Sequence, residues 1–220
     1  MADPTIFERC FAYLMVHEVD ADPLDPAAWS GGAVGAGSFQ AANGGLDMSR
    51  ADKGNWTGGA VDRGTLGGTR WGISTAAFHD DLHALAPAVW ATFPDLVKDL
   101  TLDQARVLTR AAYWDRIQGD ALPPRVALIV HDAAFNNGVG TAVRWLQTAV
   151  GANVDGLIGP GTLAAVQRAV ARGEAAAVAA EVLAERINAM ARMPSWVAEG
   201  FGWSRRLARL AFQAAELPAS

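Results

Sequence analysis

Apolar residues recur at helical spacing at the start of the chain. Four of them fall at positions i, i+3, i+4 and i+7, which places their side chains on one face of a helix. They are Phe7, Cys10, Phe11 and Leu14. Asp3 precedes this run as a predicted cap and Pro4 as a first-turn residue, so we expect a first helix to begin there.

The periodicity disappears between Asp20 and Gly68. Pairs of adjacent glycines interrupt this polar stretch at 31–32, 44–45, 58–59 and 67–68. Glycine pairs mark turns and loops, so we predict a long loop with a short hairpin. A loop of this length within a compact domain usually serves a function, such as a cleft wall or a lid.

Helical patterns return after Trp71 and continue to the end of the chain. Thr101 and Gln104 form a predicted capping box. One later helix is predicted to start at Pro123-Pro124 and to end at Gly138. Four more are predicted after it, at 141–151, 162–171, 174–193 and 201–216. The predicted fold is therefore mostly α with a long glycine-rich loop or hairpin insertion. We expect three regions, 1–120, 121–195 and a C-terminal helix at 196–220 packed on the same body.

Charge and composition exclude several classes of protein. One cysteine among 220 residues excludes a disulfide framework, and four scattered histidines lack the spacing of a zinc finger, so we expect no structural metal. A formal charge of -5 argues against nucleic-acid binding. Asp3, Glu8 and Arg9 lie where a signal peptide would need an apolar stretch, so we expect synthesis in the cytoplasm without one.

Glu18 is the first candidate for acid–base chemistry. It follows Leu14 by four residues, so it projects from the apolar stripe of the first predicted helix. It also lies in the last turn, where the negative end of the helix dipole disfavours a carboxylate. Both effects favour a protonated carboxylic acid, the group that a glycosidase needs to protonate a leaving oxygen. A glutamate that faces solvent at a helix end is the alternative.

Three aspartates in the glycine-rich stretch are candidates for a second carboxylate: Asp47, Asp52 and Asp62. An inverting glycosidase needs this group roughly 6.5 to 9.5 Å from the acid, which leaves room for the attacking water. An Asx turn in a polar loop is the alternative for each of them. The acidic cluster Asp20, Asp22 and Asp25 lacks a fixed ligand pattern and is predicted to be a solvated turn, with a cation site as the alternative.

Three motifs follow one another in a specific order. They are His17-Glu18, then Asp52-Lys53-Gly54-Asn55-Trp56-Thr57-Gly58-Gly59, then Gly67-Gly68-Thr69-Arg70-Trp71-Gly72-Ile73. This order resembles glycoside hydrolase family 108, the N-acetylmuramidases of phage-type endolysins and secretion-activator proteins. That family has a helix ending in His-Glu-Gly-Gly, an aspartate before a glycine-rich turn, and Gly-x-Thr-x-x-Gly-Ile. The resemblance implies a lysozyme-like fold.

The resemblance also implies roles for individual residues. Glu18 would be the general acid, Asp52 the carboxylate that orients water, and Thr69 a hydroxyl that helps to hold that water. The chain departs from the family at Val19-Asp20, which replace two glycines, and in the longer connection between Glu18 and Asp52. Asp47 and Asp62 therefore remain open as the second carboxylate.

Motifs in the C-terminal half resemble the family's peptidoglycan-binding region. They are Tyr113-Trp114-Asp115, Leu122-Pro123-Pro124, the run from Asp132 to Gly138, and Val154 to Pro160. The turn at Asp155 presents backbone amides before a helix capped near Thr162, a surface suited to glycan or stem peptide. The candidate binding residues are Trp56, Trp71, Tyr113, Trp114, Asn136, Asp155 and Thr162. For the three tryptophans, a place in the core is an equal alternative.

Two further features are assigned structural roles. We expect Asp132 to be a cap or a buried hydrogen-bond partner. The C-terminal helix combines Arg205, Arg206 and Arg209 with apolar residues, so it either docks on the core or contacts an anionic membrane, and we favour docking.

These observations predict a peptidoglycan hydrolase that cleaves the β-1,4 bond between N-acetylmuramic acid and N-acetylglucosamine by inversion. A lytic transglycosylase and a non-catalytic wall-binding module are the alternatives. We expect a monomer that needs no cofactor, and that reaches the cell wall through a holin-like pore, another export route or cell lysis.

Overall fold

The computed structural model describes residues 4–19 and 45–218, and the chain is mostly helical in these ranges. The predicted mostly α class is therefore confirmed. The chain forms two compact units, Met1–Ala112 and Tyr113–Ser220. The acidic cluster Asp20, Asp22 and Asp25 lies outside the described residues, as does the first half of the glycine-rich loop.

Short helices and one hairpin make up the described part of the first unit. The helices are α1 (Ile6–Val19), α2 (Thr75–Leu82), α3 (Pro87–Trp90) and α4 (Leu102–Thr109), with 3₁₀ turns at Lys53–Asn55 and Val97–Asp99. Strands β1 (Thr69–Arg70) and β2 (Ile73–Ser74) pair in antiparallel fashion. A π-helical turn, Arg110–Trp114, follows α4.

Helix α1 begins two residues later than the sequence predicts. The Thr5 hydroxyl accepts a hydrogen bond of 3.2 Å from the Glu8 backbone N–H, so Thr5 is the capping residue. The predicted apolar stripe is confirmed, because Phe7, Cys10, Phe11 and Leu14 are all buried. Helix α1 therefore supplies a large part of the core of the first unit.

Two polar contacts define helix α4. Thr101 Oγ1 accepts from the Gln104 N–H and Gln104 Oε1 accepts from the Thr101 N–H, which confirms the predicted capping box. Arg106 Nη1 donates to Glu8 Oε1 across 2.7 Å, which joins α4 to the start of α1.

The hairpin forms at the end of the glycine-rich stretch. Its two loop residues, Trp71 and Gly72, have φ angles of 55° and 73°. Positive φ at both positions is the geometry of a type I′ turn, whose twist matches that of antiparallel strands. The turn therefore fixes the register in which Thr69 pairs with Ser74.

The described part of the second unit contains five α-helices: α5 (Pro124–Asn137), α6 (Val139–Val150), α7 (Pro160–Ala171), α8 (Ala175–Ala191) and α9 (Trp196–Glu216). The predicted start of α5 at Pro123-Pro124 and its end at Gly138 are confirmed. Helix α5 packs against α6, α8 and α9.

Other helix ends differ from the sequence prediction. Helix α6 starts at Val139 rather than near Thr141, because Gly138 serves both the end of α5 and the start of α6. Helix α7 starts at Pro160, so Thr162 lies inside its first turn instead of capping it. The last helix starts at Trp196, five residues before the predicted start at Phe201. Proline in the first turn of α7 needs no N–H partner there.

The terminal helix α9 docks on the second unit, as favoured from the sequence. Leu207 and Leu210 are buried, and Arg125 Nε donates to the Leu217 carbonyl across 2.7 Å. Phe201 and Phe212 lie on its exposed face. No helix in the described ranges is both long and apolar enough to cross a membrane.

Asp132 has the buried structural role predicted for it. Its carboxylate accepts from Arg186 of α8 through Oδ2 and from Arg206 of α9 through Oδ1. Burial by itself would raise the pKa of Asp132, but Arg206 and Arg186 hold that pKa below its ordinary value. One carboxylate therefore joins three helices of the second unit.

Candidate functional site

Glu18 is the penultimate residue of α1. Leu14 and Met15 on the preceding turn are buried, and Glu18 itself is half-buried. Its Oε1 atom is shielded from solvent. The side chain thus continues the apolar stripe, instead of projecting fully into water from the helix end.

The three candidate aspartates have different environments. Asp52 caps the 3₁₀ turn Lys53–Asn55, with Oδ1 accepting from the Gly54 N–H across 2.8 Å. Asp62 forms an exposed ion pair of 2.7 Å with Arg50. Asp47 accepts through both oxygens, from the Ser49 N–H at 2.8 Å and from Asn55 Nδ2 at 3.0 Å.

Asn55 lies at the centre of a polar network that also contains Asp47 and Thr69. The Asn55 side chain is 0% exposed, and its Oδ1 accepts from Thr69 Oγ1 across 2.7 Å. The backbones of Asp47 and Thr69 exchange two hydrogen bonds of 2.9 Å. The structure therefore joins Thr69 to Asp47 and places Asp52 three residues before Asn55 on one 3₁₀ turn.

The three candidate tryptophans lie in packed interiors. Trp56, Trp71 and Trp114 are 4%, 6% and 0% exposed. Each indole N–H has a partner: the Arg50 carbonyl, the Leu100 carbonyl and the Asp120 carboxylate, respectively. The burial of the three rings corresponds to the place in the core that the sequence analysis gave as the alternative to sugar binding.

In the second unit, Gln147 organises the turn between α6 and α7. Its Nε2 donates to Asp155 Oδ1 at 2.8 Å and to Thr162 Oγ1 at 3.1 Å, and its Oε1 accepts from the Gly156 N–H at 2.8 Å. The hydrogen bonds from Gln147 and from the Leu157 N–H lower the pKa of Asp155. Asp155 is therefore a carboxylate at neutral pH.

A pocket of about 390 Å³ opens beside this turn. It is lined by Asn153, Asp155, Leu157, Ile158 and Thr162, among others. Leu157 is exposed, Asp155 supplies a charge, and Thr162 is largely buried at the base of α7. The pocket thus combines apolar and anionic surface at the place where the sequence predicts contact with the cell wall.

Tyr113 and Asn136 lie elsewhere in the second unit. The Tyr113 ring is half-buried and packs on Phe135, with their centroids 5.0 Å apart. Asn136 is exposed, and its Nδ2 donates to the Asp132 carbonyl one turn earlier in α5. Asp155 and Thr162 of the predicted binding set line one pocket.

The sequence interpretation missed two residues, Asn55 and Gln147. Asn55 lies inside the motif from Asp52 to Gly59, but the glycines around it predict only that it lies in a turn. Gln147 occupies a helical position, and only its burial at 0% exposure reveals a structural role.

Among the described residues, no group of histidine, cysteine and acidic side chains has an arrangement that could hold a metal ion.

Comparisons with known proteins define the class of the chain. Residues 38–138 match the family model described as glycosyl hydrolase 108, and residues 141–207 match the model described as a predicted peptidoglycan domain. The structure of SagA from Brucella abortus superposes with a TM-score of 0.62 and 28% sequence identity, covering 80% of this chain and 88% of that one. No curated protein matches the sequence.

These matches define a glycoside hydrolase that carries a second, peptidoglycan-directed region. Residues 38–138 are similar to glycoside hydrolase family 108, and the chain is a peptidoglycan hydrolase. Thr69 and the three aspartates lie within the matched range 38–138, whereas Glu18 precedes it. The role of Glu18 therefore depends on the His17-Glu18 motif and on its position in α1.

Proposed function

We propose that the chain is an N-acetylmuramidase that hydrolyses the β-1,4 bond between N-acetylmuramic acid and N-acetylglucosamine with inversion. The observation that carries this proposal is the solvent-shielded Glu18 Oε1, in the same compact unit as the network of Asp47, Asn55 and Thr69. A carboxyl group partly shielded from water is suited to protonate a leaving oxygen.

The proposed reaction needs two carboxyl groups and one water. Glu18 donates its proton to the glycosidic oxygen as the bond from that oxygen to the anomeric carbon breaks. Water attacks the opposite face of the sugar, and its proton passes to Asp52. Thr69 accepts a second hydrogen bond from the same water. The product carries a new reducing end of inverted configuration, and no cofactor takes part.

Asp52 is favoured over the other two aspartates because of its hydrogen bonds. Among the described residues, only its Oδ1 has a partner, so Oδ2 can accept from water. Asp62 is neutralised by Arg50, and both oxygens of Asp47 accept from the protein. A carboxylate that is paired with a guanidinium, or whose two oxygens both accept from the protein, is less available to accept a hydrogen bond from water.

The second unit would hold the enzyme on its polymeric substrate. The pocket beside Asp155 and Thr162 supports this role, because it offers an anionic group next to exposed apolar surface. Stem peptides of peptidoglycan carry amino groups and aliphatic side chains that complement such a surface. Binding there would raise the local concentration of glycan at the first unit.

Product analysis tests the proposal. Purified sacculi are digested, the new ends are reduced with borohydride, and the fragments are identified by mass spectrometry. A reducible muramic acid end supports the proposal, and a reducible glucosamine end overturns the choice of bond. A product one water lighter, with a 1,6-anhydro end, identifies a lytic transglycosylase instead. Binding to sacculi without any released fragment identifies a wall-binding module.

The stereochemical part of the proposal needs a separate measurement. Proton NMR of the first turnovers on a soluble glycan oligomer reports the anomer formed before mutarotation. Inversion gives the α-anomer from a β-linked substrate. The β-anomer as first product would exclude direct attack by the water that Asp52 and Thr69 are proposed to hold.

A further inference from the structure

We propose that Asn55 is a positioning residue, which fixes the hydrogen-bond polarity of Thr69 so that this hydroxyl can only accept a hydrogen bond from the attacking water. The inference rests on the proposed function, and adds to it a residue that neither sequence motif nor comparison assigned. It follows from the donors and acceptors around one buried amide.

The orientation of the Asn55 amide is determined by its neighbours. Its nitrogen lies 3.0 Å from Asp47 Oδ2 and 3.0 Å from the Ser49 carbonyl oxygen. A carboxylate and a carbonyl are both acceptors, so the amide N–H₂ group must face them. The amide oxygen, Oδ1, consequently faces Thr69.

This orientation determines the direction of the bond to Thr69. An amide oxygen cannot donate, so the Thr69 hydroxyl must donate its one proton across the 2.7 Å contact with Asn55 Oδ1. The lone pairs of Thr69 Oγ1 that remain can only accept. A water at Thr69 therefore donates one proton to the hydroxyl and presents its other proton to a base.

The backbone holds this arrangement in place. The Asn55 carbonyl accepts from the Gly67 N–H at 2.9 Å and from the Gly68 N–H at 3.1 Å, immediately before Thr69. Gly68 has a φ of 80°, and a Cβ there would lie 2.8 Å from the Asp47 carbonyl oxygen. The turn thus lets the chain at 67–69 approach Asp47 and Asn55 closely.

A double-mutant cycle separates this role from a merely structural one. Thr69→Val removes the hydroxyl while keeping the shape, and should lower kcat about 10- to 100-fold with little change in KM. Asn55→Ala should lower kcat by a similar factor, because the hydroxyl is then free to rotate. The double variant should be no slower than the slower single variant, since both changes remove one function.

Thr75→Val is the matched control. Thr75 Oγ1 donates to the Gly68 carbonyl across 2.6 Å, so its loss weakens the same turn without touching the Thr69 hydroxyl. Its effect on kcat should multiply with that of Thr69→Val. If Asn55→Ala also multiplies with Thr69→Val, Asn55 acts independently of the hydroxyl and the inference is overturned.

A second variant keeps the test decisive if Asn55→Ala does not fold. In Asn55→Asp, the carboxyl oxygen that faces Thr69 accepts a hydrogen bond whether the group is protonated or ionised, so the Thr69 hydroxyl must still donate to it. Thr69→Val should therefore lower the kcat of Asn55→Asp by the same factor as it lowers the parental kcat. If Thr69→Val leaves the kcat of Asn55→Asp unchanged, an acceptor at position 55 does not fix the hydroxyl, and the inference is overturned.

The outcomes also distinguish this inference from the proposed function. An active Glu18→Gln variant would remove the proposed mechanism as a whole. An inactive Glu18→Gln variant together with a fully active Thr69→Val variant overturns the roles of Thr69 and Asn55 but leaves Glu18 as the general acid.

Discussion

Arg206 Nη2 donates to Asp132 Oδ1 across 2.6 Å, and this contact joins the terminal helix α9 to the centre of the second unit. Arg186 of α8 donates to the other oxygen of the same carboxylate. Asp132 and Arg186 are almost fully buried. A buried charge is tolerated only where opposite charges and hydrogen bonds compensate it, so the three side chains depend on one another.

Asp132→Asn should therefore destabilise the protein strongly. The substitution leaves two guanidinium groups facing a neutral amide, and breaking a buried ion pair costs about 3 to 5 kcal/mol. Urea denaturation followed by circular dichroism measures the free energy of unfolding. Glu174→Gln, which breaks the exposed pair with Arg172, is the control and should leave the unfolding midpoint at the parental value. Equal midpoints for the two variants would contradict the structural role of Asp132.

His131 should make stability depend on pH between 6.5 and 4. Burial lowers the pKa of His131 to about 4, although Asp132 acts in the opposite direction. Between these values the unfolded chain binds a proton that the folded chain does not, so stability is lost as the pH falls from 6.5 towards 4. The folded pKa of Asp132 is also lowered, so its contribution is lost only at pH values below 3.8.

The measurement is the free energy of unfolding at several pH values in this range. His131→Gln should flatten the slope between pH 6.5 and 4. Thr148→Ala, which changes an exposed residue that does not titrate, should retain the parental slope. An unchanged slope in His131→Gln would assign the pH dependence to other groups.

Glu18→Gln should abolish hydrolysis while leaving the fold intact. General acid catalysis contributes about 10² to 10⁴ in rate, and glutamine has no proton to transfer. The half-buried position predicts a change in the free energy of unfolding within about 1 kcal/mol. Release of reducing ends from sacculi reports activity, and thermal melting reports stability. Glu181→Gln on the exposed face of α8 is the control, and an equally active Glu18→Gln variant would falsify the assignment.

Parallel substitutions should identify the second carboxylate. Asp52→Asn should lower kcat about 10²- to 10⁴-fold, because the water loses its base. Asp62→Asn should remain near the parental rate, since it removes only an exposed ion pair with Arg50. Asp47→Asn should have an intermediate effect through Asn55. A larger loss in Asp47→Asn than in Asp52→Asn would transfer the role of base to Asp47.

Gln147→Ala should weaken binding to the cell wall. The side chain holds Asp155, Gly156 and Thr162 in one turn, and its removal leaves buried polar groups without partners at a cost of about 1 to 3 kcal/mol. Co-sedimentation with sacculi in the Glu18→Gln background measures binding without cleavage. Thr148→Ala, on the same helix at an exposed position, is the control and should bind as the parent does. Parental binding by Gln147→Ala would place the wall contact elsewhere.

The sequence by itself determined the local features of this protein. Helical spacing identified the apolar face of α1, proline and glycine marked the ends of α5, and Thr101 with Gln104 formed the capping box as predicted. These features depend on residues within one or two turns of each other, so pattern is sufficient to predict them. The ordered motifs likewise indicated the family whose model matches residues 38–138.

Tertiary structure decided which polar residues act together. Asn55 contacts residues on both sides of it in the chain, from Asp47 to Thr69, and Asp132 pairs with arginines on two later helices. The burial of Trp56, Trp71 and Trp114 likewise follows from tertiary packing and not from the local sequence. Such contacts bring together segments that are far apart along the chain, and no local spacing encodes them.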